Sequence, residues 1–202
     1  MDSLHKLIEH FAEFPGIGPR QARRFAYFLL TKNPVYLSEL SRLISEIRKD
    51  IHVCSSCFRF YTSRGSAKTC SICSDDSRDT TQLMIVARDI DLEAIEKSKA
   101  YSGTYFVLGG TVPILDKAPE TRVRVKELVA YVGSRPQIKE IVLSLNANPE
   151  GEHTADYIKS VLKEITTKAD MKISLLGRGL STGAELEYVD SDTIENALKN
   201  RA

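Results

Sequence analysis

The chain has 202 residues, of which 42% are apolar and 27% charged. That balance excludes a chain disordered throughout, and its longest apolar runs, about five residues, are far too short to cross a bilayer as a helix. The net charge of +1 hides an asymmetry: residues 1–73 hold 11 Lys+Arg against 6 Asp+Glu, and residues 74–202 hold 17 against 21. A basic front on an acidic back predicts one localised contact with a polyanion rather than a uniformly sticky surface.

In chain order, the N-terminus is polar and amphipathic with no apolar signal core, so a cytoplasmic location is expected. Leu4, Leu7, Ile8 and Phe11 recur at helical spacing and predict a first helix. It ends at Phe14-Pro15-Gly16-Ile17-Gly18-Pro19, where glycine permits positive φ and Pro19 suits the first turn of a second helix. The second helix carries Ala22, Phe25, Ala26 and Leu29 on one side and Arg20, Arg23 and Arg24 on another. A third is expected to start near Ser38 and to bury Leu40, Leu43, Ile44 and Ile47. The tyrosines and phenylalanines are read mostly as core residues, not as base-stacking platforms.

From residue 80 strand and helix signals alternate: strands over 82–87, 105–108, 140–145 and 171–176, and helices over 91–98, 120–132 and 153–168. Such alternation predicts parallel βαβ units. A strand or hairpin over 183–189 and a helix capped by Asp190, Ser191 or Asp192 complete the chain.

All four cysteines fall in residues 54–73, as Cys54-x2-Cys57, twelve residues, Cys70-x2-Cys73. Two such pairs suit one tetrahedral zinc held by four thiolates, with no open position for catalysis. Two disulfides, a redox dithiol and an iron–sulfur cluster are the alternatives; a cytosolic chain disfavours the first, and iron–sulfur spacings usually differ. Arg59, Arg64 and Lys68 make the insert basic.

Helix, Pro15-Gly16-Ile17-Gly18 turn and basic helix together form a helix-hairpin-helix pattern. Its logic is an anion site: the backbone N–H groups around Gly16 and Gly18 and a helix N-terminus converge on phosphate, flanked by Arg20, Arg23 and Arg24. Such contacts hold DNA without reading its sequence. The plain alternative is an αα-hairpin whose glycines only permit the turn.

These motifs occur in one order with Tyr105-Phe106-Val107-Leu108-Gly109-Gly110, Asn148-Pro149-Glu150-Gly151-Glu152-His153-Thr154-Ala155 and Gly183-Ala184-Glu185-Leu186-Glu187-Tyr188-Val189-Asp190. Over essentially the whole length the chain resembles the RecR recombination-mediator family. The resemblance implies an α+β multidomain fold: a helix-hairpin-helix domain (1–53), a four-cysteine zinc finger (54–79), a Toprim-like α/β domain with a mainly parallel sheet (80–176) and a C-terminal strand–helix segment (177–202). It also implies recombinational repair with RecO and RecF as partners, helping RecA load on gapped DNA, and a homodimer or ring-shaped tetramer. The family's first Toprim strand usually ends in Val-Val-Glu; here Ile85-Val86-Ala87 stands at that place, without the acid.

Toprim enzymes use such an acid with paired acids elsewhere to hold Mg²⁺ for phosphoryl transfer. Glu150 and Glu152, on the loop after the 140–145 strand, are the candidates for a weak Mg²⁺ site or a partner contact. With Ala87 in place of the third acid and no defensible nucleophile, no catalytic residue is assigned. The expectation is therefore a non-enzymatic DNA clamp and adaptor with one zinc per chain, binding gapped or duplex DNA without sequence preference. The competing readings are a Mg²⁺-dependent phosphotransfer enzyme and a zinc-ribbon protein adaptor that does not touch DNA.

Overall fold

The computed structural model describes residues 2–63, 65 and 67–201; Arg64, one of the basic residues of the cysteine insert, lies outside the described residues. The chain divides into two compact units, Met1–Ile51 and His52–Ala202.

The first unit is helical. Helix α1 (Ser3–Ala12) is capped by Asp2, whose side chain accepts from the His5 N–H. Helix α2 (Pro19–Leu30) packs on it, burying only the small residues Ala22 and Ala26 and stacking Phe25 edge-on against Phe11. Alanines at this seam bring the two helices close together, so little more of α2 is covered. Helix α3 (Pro34–Asp50) starts one turn earlier than expected, because Asn33 caps it through the Tyr36 N–H and Pro34 fits its first turn.

Two expectations fail in this unit. The α3 residues Leu43, Ile44 and Ile47 are exposed (52, 65 and 62%). A unit of about fifty residues has too little apolar surface of its own to cover every helix face. Several aromatics are also outside the core: Tyr27, Phe28 and Tyr36 are exposed rather than packed inside.

A two-stranded sheet, β1 (Ile51–Val53) and β2 (Phe60–Thr62), carries the cysteine insert. A four-stranded parallel sheet follows, made of β3 (Asp79–Val86), β4 (Gly103–Val107), β5 (Glu140–Ser144) and β6 (Lys172–Leu175) in the order β4-β3-β5-β6. Helices α4 (Asp89–Ser98), α5 (Val125–Gly133) and α6 (Pro149–Ala169) connect the strands.

Because side chains alternate along a strand, the sheet has two distinct faces. Leu83, Ile85, Phe106, Ile141 and Leu143 pack with Leu128 and Val132 of α5 and Ile158 and Leu162 of α6. Met84, Val86, Tyr105 and Val107 point the other way, onto Leu92 of α4 and onto three of the cysteines. Both faces are covered, as an all-parallel sheet requires.

Two elements differ from the sequence reading. The helix expected over 120–132 is split into a 3₁₀ turn, Pro119–Thr121, and α5. Between them the Arg124 N–H bonds the Leu108 carbonyl and its guanidinium bonds the Val107 carbonyl, which draws the chain along the end of β4. The strand expected over 183–189 is a 3₁₀ turn, Leu186–Tyr188, whose N–H groups bond locally instead of joining the β6 edge. Helix α7 (Ser191–Lys199) follows, capped by Asp190.

Candidate metal centre and nucleic-acid interface

Cys54, Cys57, Cys70 and Cys73 come together, with all four Sγ atoms within 4.8 Å of one another. The Cys57 and Cys70 sulfurs are 3.6 Å apart. A tetrahedral ion with metal–sulfur bonds of about 2.3 Å needs sulfur separations of roughly 3.8 Å, so the donor set fits one such ion. Among the described residues this is the one group of three or more metal-capable side chains.

Each Cys-x2-Cys turn is built by its own backbone. The Phe58 N–H bonds the Cys54 carbonyl, the Ser74 N–H bonds the Cys70 carbonyl, and the Cys70 N–H donates to Cys54 Sγ. Phe58, just after the first pair, takes a left-handed conformation (φ 63°) that closes the turn. The Phe58 ring then packs on Phe106.

Four sulfurs this close cannot all ionise without a cation among them. Close contact with the other three sulfurs pulls Cys54 toward thiolate, while the same contact with Cys54 pushes Cys57 and Cys73 toward thiol. A divalent ion removes the conflict by stabilising every thiolate at once. The centre is also anchored to the sheet: the Val107 N–H bonds the Cys57 carbonyl, and the Phe60 N–H bonds Asp89 at the start of α4. Sequence reasoning missed Phe58 and Asp89, because their contacts join segments up to 48 residues apart.

In the first unit, Gly16 has φ +76° and Gly18 is the N-cap of α2. No side chain caps that end; Pro19 has no N–H and the Gln21 and Ala22 N–H groups bond the Gly18 carbonyl, so the Arg20 N–H is the first-turn amide left open to an external anion. Arg20 lies in the same first turn, and Arg23 and Arg24 lie one turn on. Among the described residues none of the three forms an ion pair; Arg24 only donates to the Gln21 side chain. Cationic side chains and a helix N-terminus without a side-chain cap thus share one end of α2, a combination whose chemistry suits an anion.

Glu150 and Glu152 lie in the first turn of α6, not on the preceding loop, and they face different partners. Glu150 accepts from the Thr111 hydroxyl, and Glu152 pairs with Arg178 at 2.6 Å. The Asn148 side chain caps α6 by accepting from the Gly151 N–H. Ala87, at the end of β3, is fully buried and offers no ligand. The two carboxylates thus stabilise a helix N-terminus and its neighbours. Thr111 and Arg178, which hold them, carry no sequence signal that would have marked them.

The chain matches three family models: "RecR, helix-hairpin-helix" over residues 4–48, "Toprim domain" over 81–176 and "RecR, C-terminal" over 179–202. Proteins named Recombination protein RecR are similar over nearly the full length. That of Syntrophobacter fumaroxidans is 36% identical over 98% of this chain and 94% of its own. That of Prochlorococcus marinus subsp. pastoris is also 36% identical, over 98% of this chain and 94% of its own. For Levilactobacillus brevis the figures are 34%, 99% and 96%.

Proposed function

The chain belongs to the RecR family of recombination proteins, and on that premise we propose that it is a non-enzymatic DNA clamp and adaptor in recombinational repair. The observation that carries this reading is the open, arginine-flanked N-terminus of α2. Phosphate seats against the backbone N–H and guanidinium of Arg20, while Arg23 and Arg24 extend the contact along the DNA backbone. These groups read charge and not bases, so gapped and duplex DNA are bound without sequence preference. RecO and RecF are the protein partners on this reading, and RecA loading in the cytoplasm is the outcome.

Cys54, Cys57, Cys70 and Cys73 hold one structural zinc per chain. Four thiolates leave no open coordination position, so the ion contributes folding free energy and no chemistry. Absence of catalysis is supported at the Toprim acids: Glu150 and Glu152 are turned to Thr111 and Arg178, and Ala87 supplies no third carboxylate. The protein acts as a homodimer or ring-shaped tetramer, a reading supported by the uncovered apolar stripe of α3.

Replacing Arg20, Arg23 and Arg24 together by alanine is expected to abolish binding of a gapped duplex while the circular dichroism spectrum stays unchanged. All three are exposed and support no packing. Unchanged affinity would remove the hairpin from the binding site. Wild-type binding should also weaken steeply with salt, with a log–log slope of about −0.9 per phosphate neutralised on duplex DNA.

A further inference from the structure

The outward face of α2 does not have the composition of an ordinary solvent face. Arg20, Arg23, Arg24, Tyr27, Phe28 and Thr31 fall at i, i+3, i+4, i+7, i+8 and i+11, and together they line one shallow groove. Tyr27 is 57% exposed and Phe28 49%. Residues 19–32 contain four cations and no acid. Lys32 Nζ sits 4.2 Å from the Phe28 ring centroid, extending the cationic surface past the aromatics.

We infer that this stripe is a binding site for single-stranded nucleic acid, with bases stacking on Tyr27 and Phe28 and the backbone held by the arginines. The inference rests on the DNA-binding reading above and adds the strand state that the site selects. Charge and shape argue for this occupant together. A cationic stripe alone suits any polyanion, and an exposed aromatic pair alone suits any apolar surface. Only an anionic chain that also carries flat π-faces uses both halves of the stripe.

A duplex keeps its bases stacked inside and offers only phosphates, so it gains nothing from Tyr27 and Phe28. At 1.5 Å per residue the stripe from Arg20 to Thr31 is about 16 Å long. That length accommodates roughly five nucleotides of a stacked strand rising 3.4 Å each. Lys32 is no obstacle: an exposed cation–π contact is weaker than base stacking, so the ammonium moves off the ring onto a phosphate. The open N-terminus of α2 lies at the arginine end of the same stripe, so a gap junction can place duplex phosphates at the hairpin and the unpaired strand over the aromatics.

The test uses the full-length protein with a labelled oligothymidine and a duplex of equal length. Tyr27→Ala and Phe28→Ala are each expected to weaken single-strand binding by about 5- to 150-fold, the usual loss for one stacked base. Duplex binding should change less than the single-strand loss, and Tyr27→Phe should restore single-strand affinity. The chain contains no tryptophan, so Tyr27→Trp supplies a lone reporter whose emission the oligothymidine should quench and the duplex should not. Equal losses on both ligands, or no loss on either, overturn the inference while leaving the arginine site standing. A drop in molecular mass in the alanine variants also overturns it, by assigning the stripe to contact between copies. Failure of the wild-type protein to bind either ligand removes this inference and the clamp reading together; loss of both ligands in the triple arginine variant alone keeps the clamp reading and leaves the aromatic variants to decide.

Discussion

Gly16 and Gly18 stand two positions apart and have different reasons to be glycine. Gly16 sits at φ +76°, where a Cβ is strained by about 1–2 kcal/mol whatever the room around it. Gly18 has the extended backbone of an ordinary N-cap (φ −81°, ψ 169°), and a Cβ built there meets nothing within 4 Å. Nothing in the fold demands glycine at 18, whereas a phosphate bound at the start of α2, as proposed, would. Gly18→Ser should therefore raise stability by roughly a few tenths of a kcal/mol, because the hydroxyl caps an α2 that no side chain now caps. The same hydroxyl stands at the end of α2 where the Arg20 N–H would meet phosphate, so DNA affinity should fall. Thermal denaturation and a DNA titration on one variant check both halves. A variant that is more stable and binds as well as wild type would locate the phosphate elsewhere. Gly16→Ala should show the opposite order, with stability falling first.

At the scale of elements, the proposed ion would tie the cysteine insert together on the sheet beneath it. Cys54, Cys57 and Cys70 share one apolar cluster with Met84, Val86 and Val107, and the Cys57 carbonyl holds the Val107 N–H. Losing the ion leaves four close sulfurs in conflict directly on that face. Any single Cys→Ser replacement should then lower the bound metal from one per chain to near zero, measured by elemental analysis. It should also destabilise the second unit by several kcal/mol, since structural zinc sites hold roughly 10–16 kcal/mol of binding free energy. Acidification should release the metal with cooperative proton uptake, because each thiolate must reprotonate as the ion leaves. Full metal content in Cys73→Ser would exclude a four-thiolate centre.

The cysteine spacing was legible in sequence because each pair closes a local turn through its own backbone bond, Phe58 N–H to the Cys54 carbonyl and Ser74 N–H to the Cys70 carbonyl. The alternating strands were legible for a similar reason: burial on both faces leaves short runs such as residues 83–87 almost wholly apolar. The split of the 120–132 segment was not, because the Arg124 bonds to the end of β4 come from 16 residues or more away. Nor was the placement of Glu150 and Glu152, which Thr111 and Arg178 decide from distant parts of the chain.

At the scale of the whole molecule, periodicity marked Leu40, Leu43, Ile44 and Ile47 correctly as one stripe and misjudged only what would cover it. An amphipathic pattern records that a face is to be buried and not whose surface buries it. Leu43, Ile44 and Ile47 lie exposed on α3, a cost that a second copy of the chain would relieve. If the protein is a dimer or ring, this stripe is where a charge should disturb it. Ile44→Glu with Ile47→Glu should lower the mass seen by light scattering at a fixed protein concentration. Bound metal should stay at the wild-type level, because no cysteine lies in the first unit. On this reading wild-type DNA binding should rise cooperatively with protein concentration, and the double variant should lose that rise while retaining the salt dependence, since Arg20, Arg23 and Arg24 lie on another helix. A wild-type chain that is monomeric at micromolar concentration, or a variant of unchanged mass, would leave the α3 stripe without a role in assembly. DNA binding would then have to be explained by one chain holding phosphate through α2 alone.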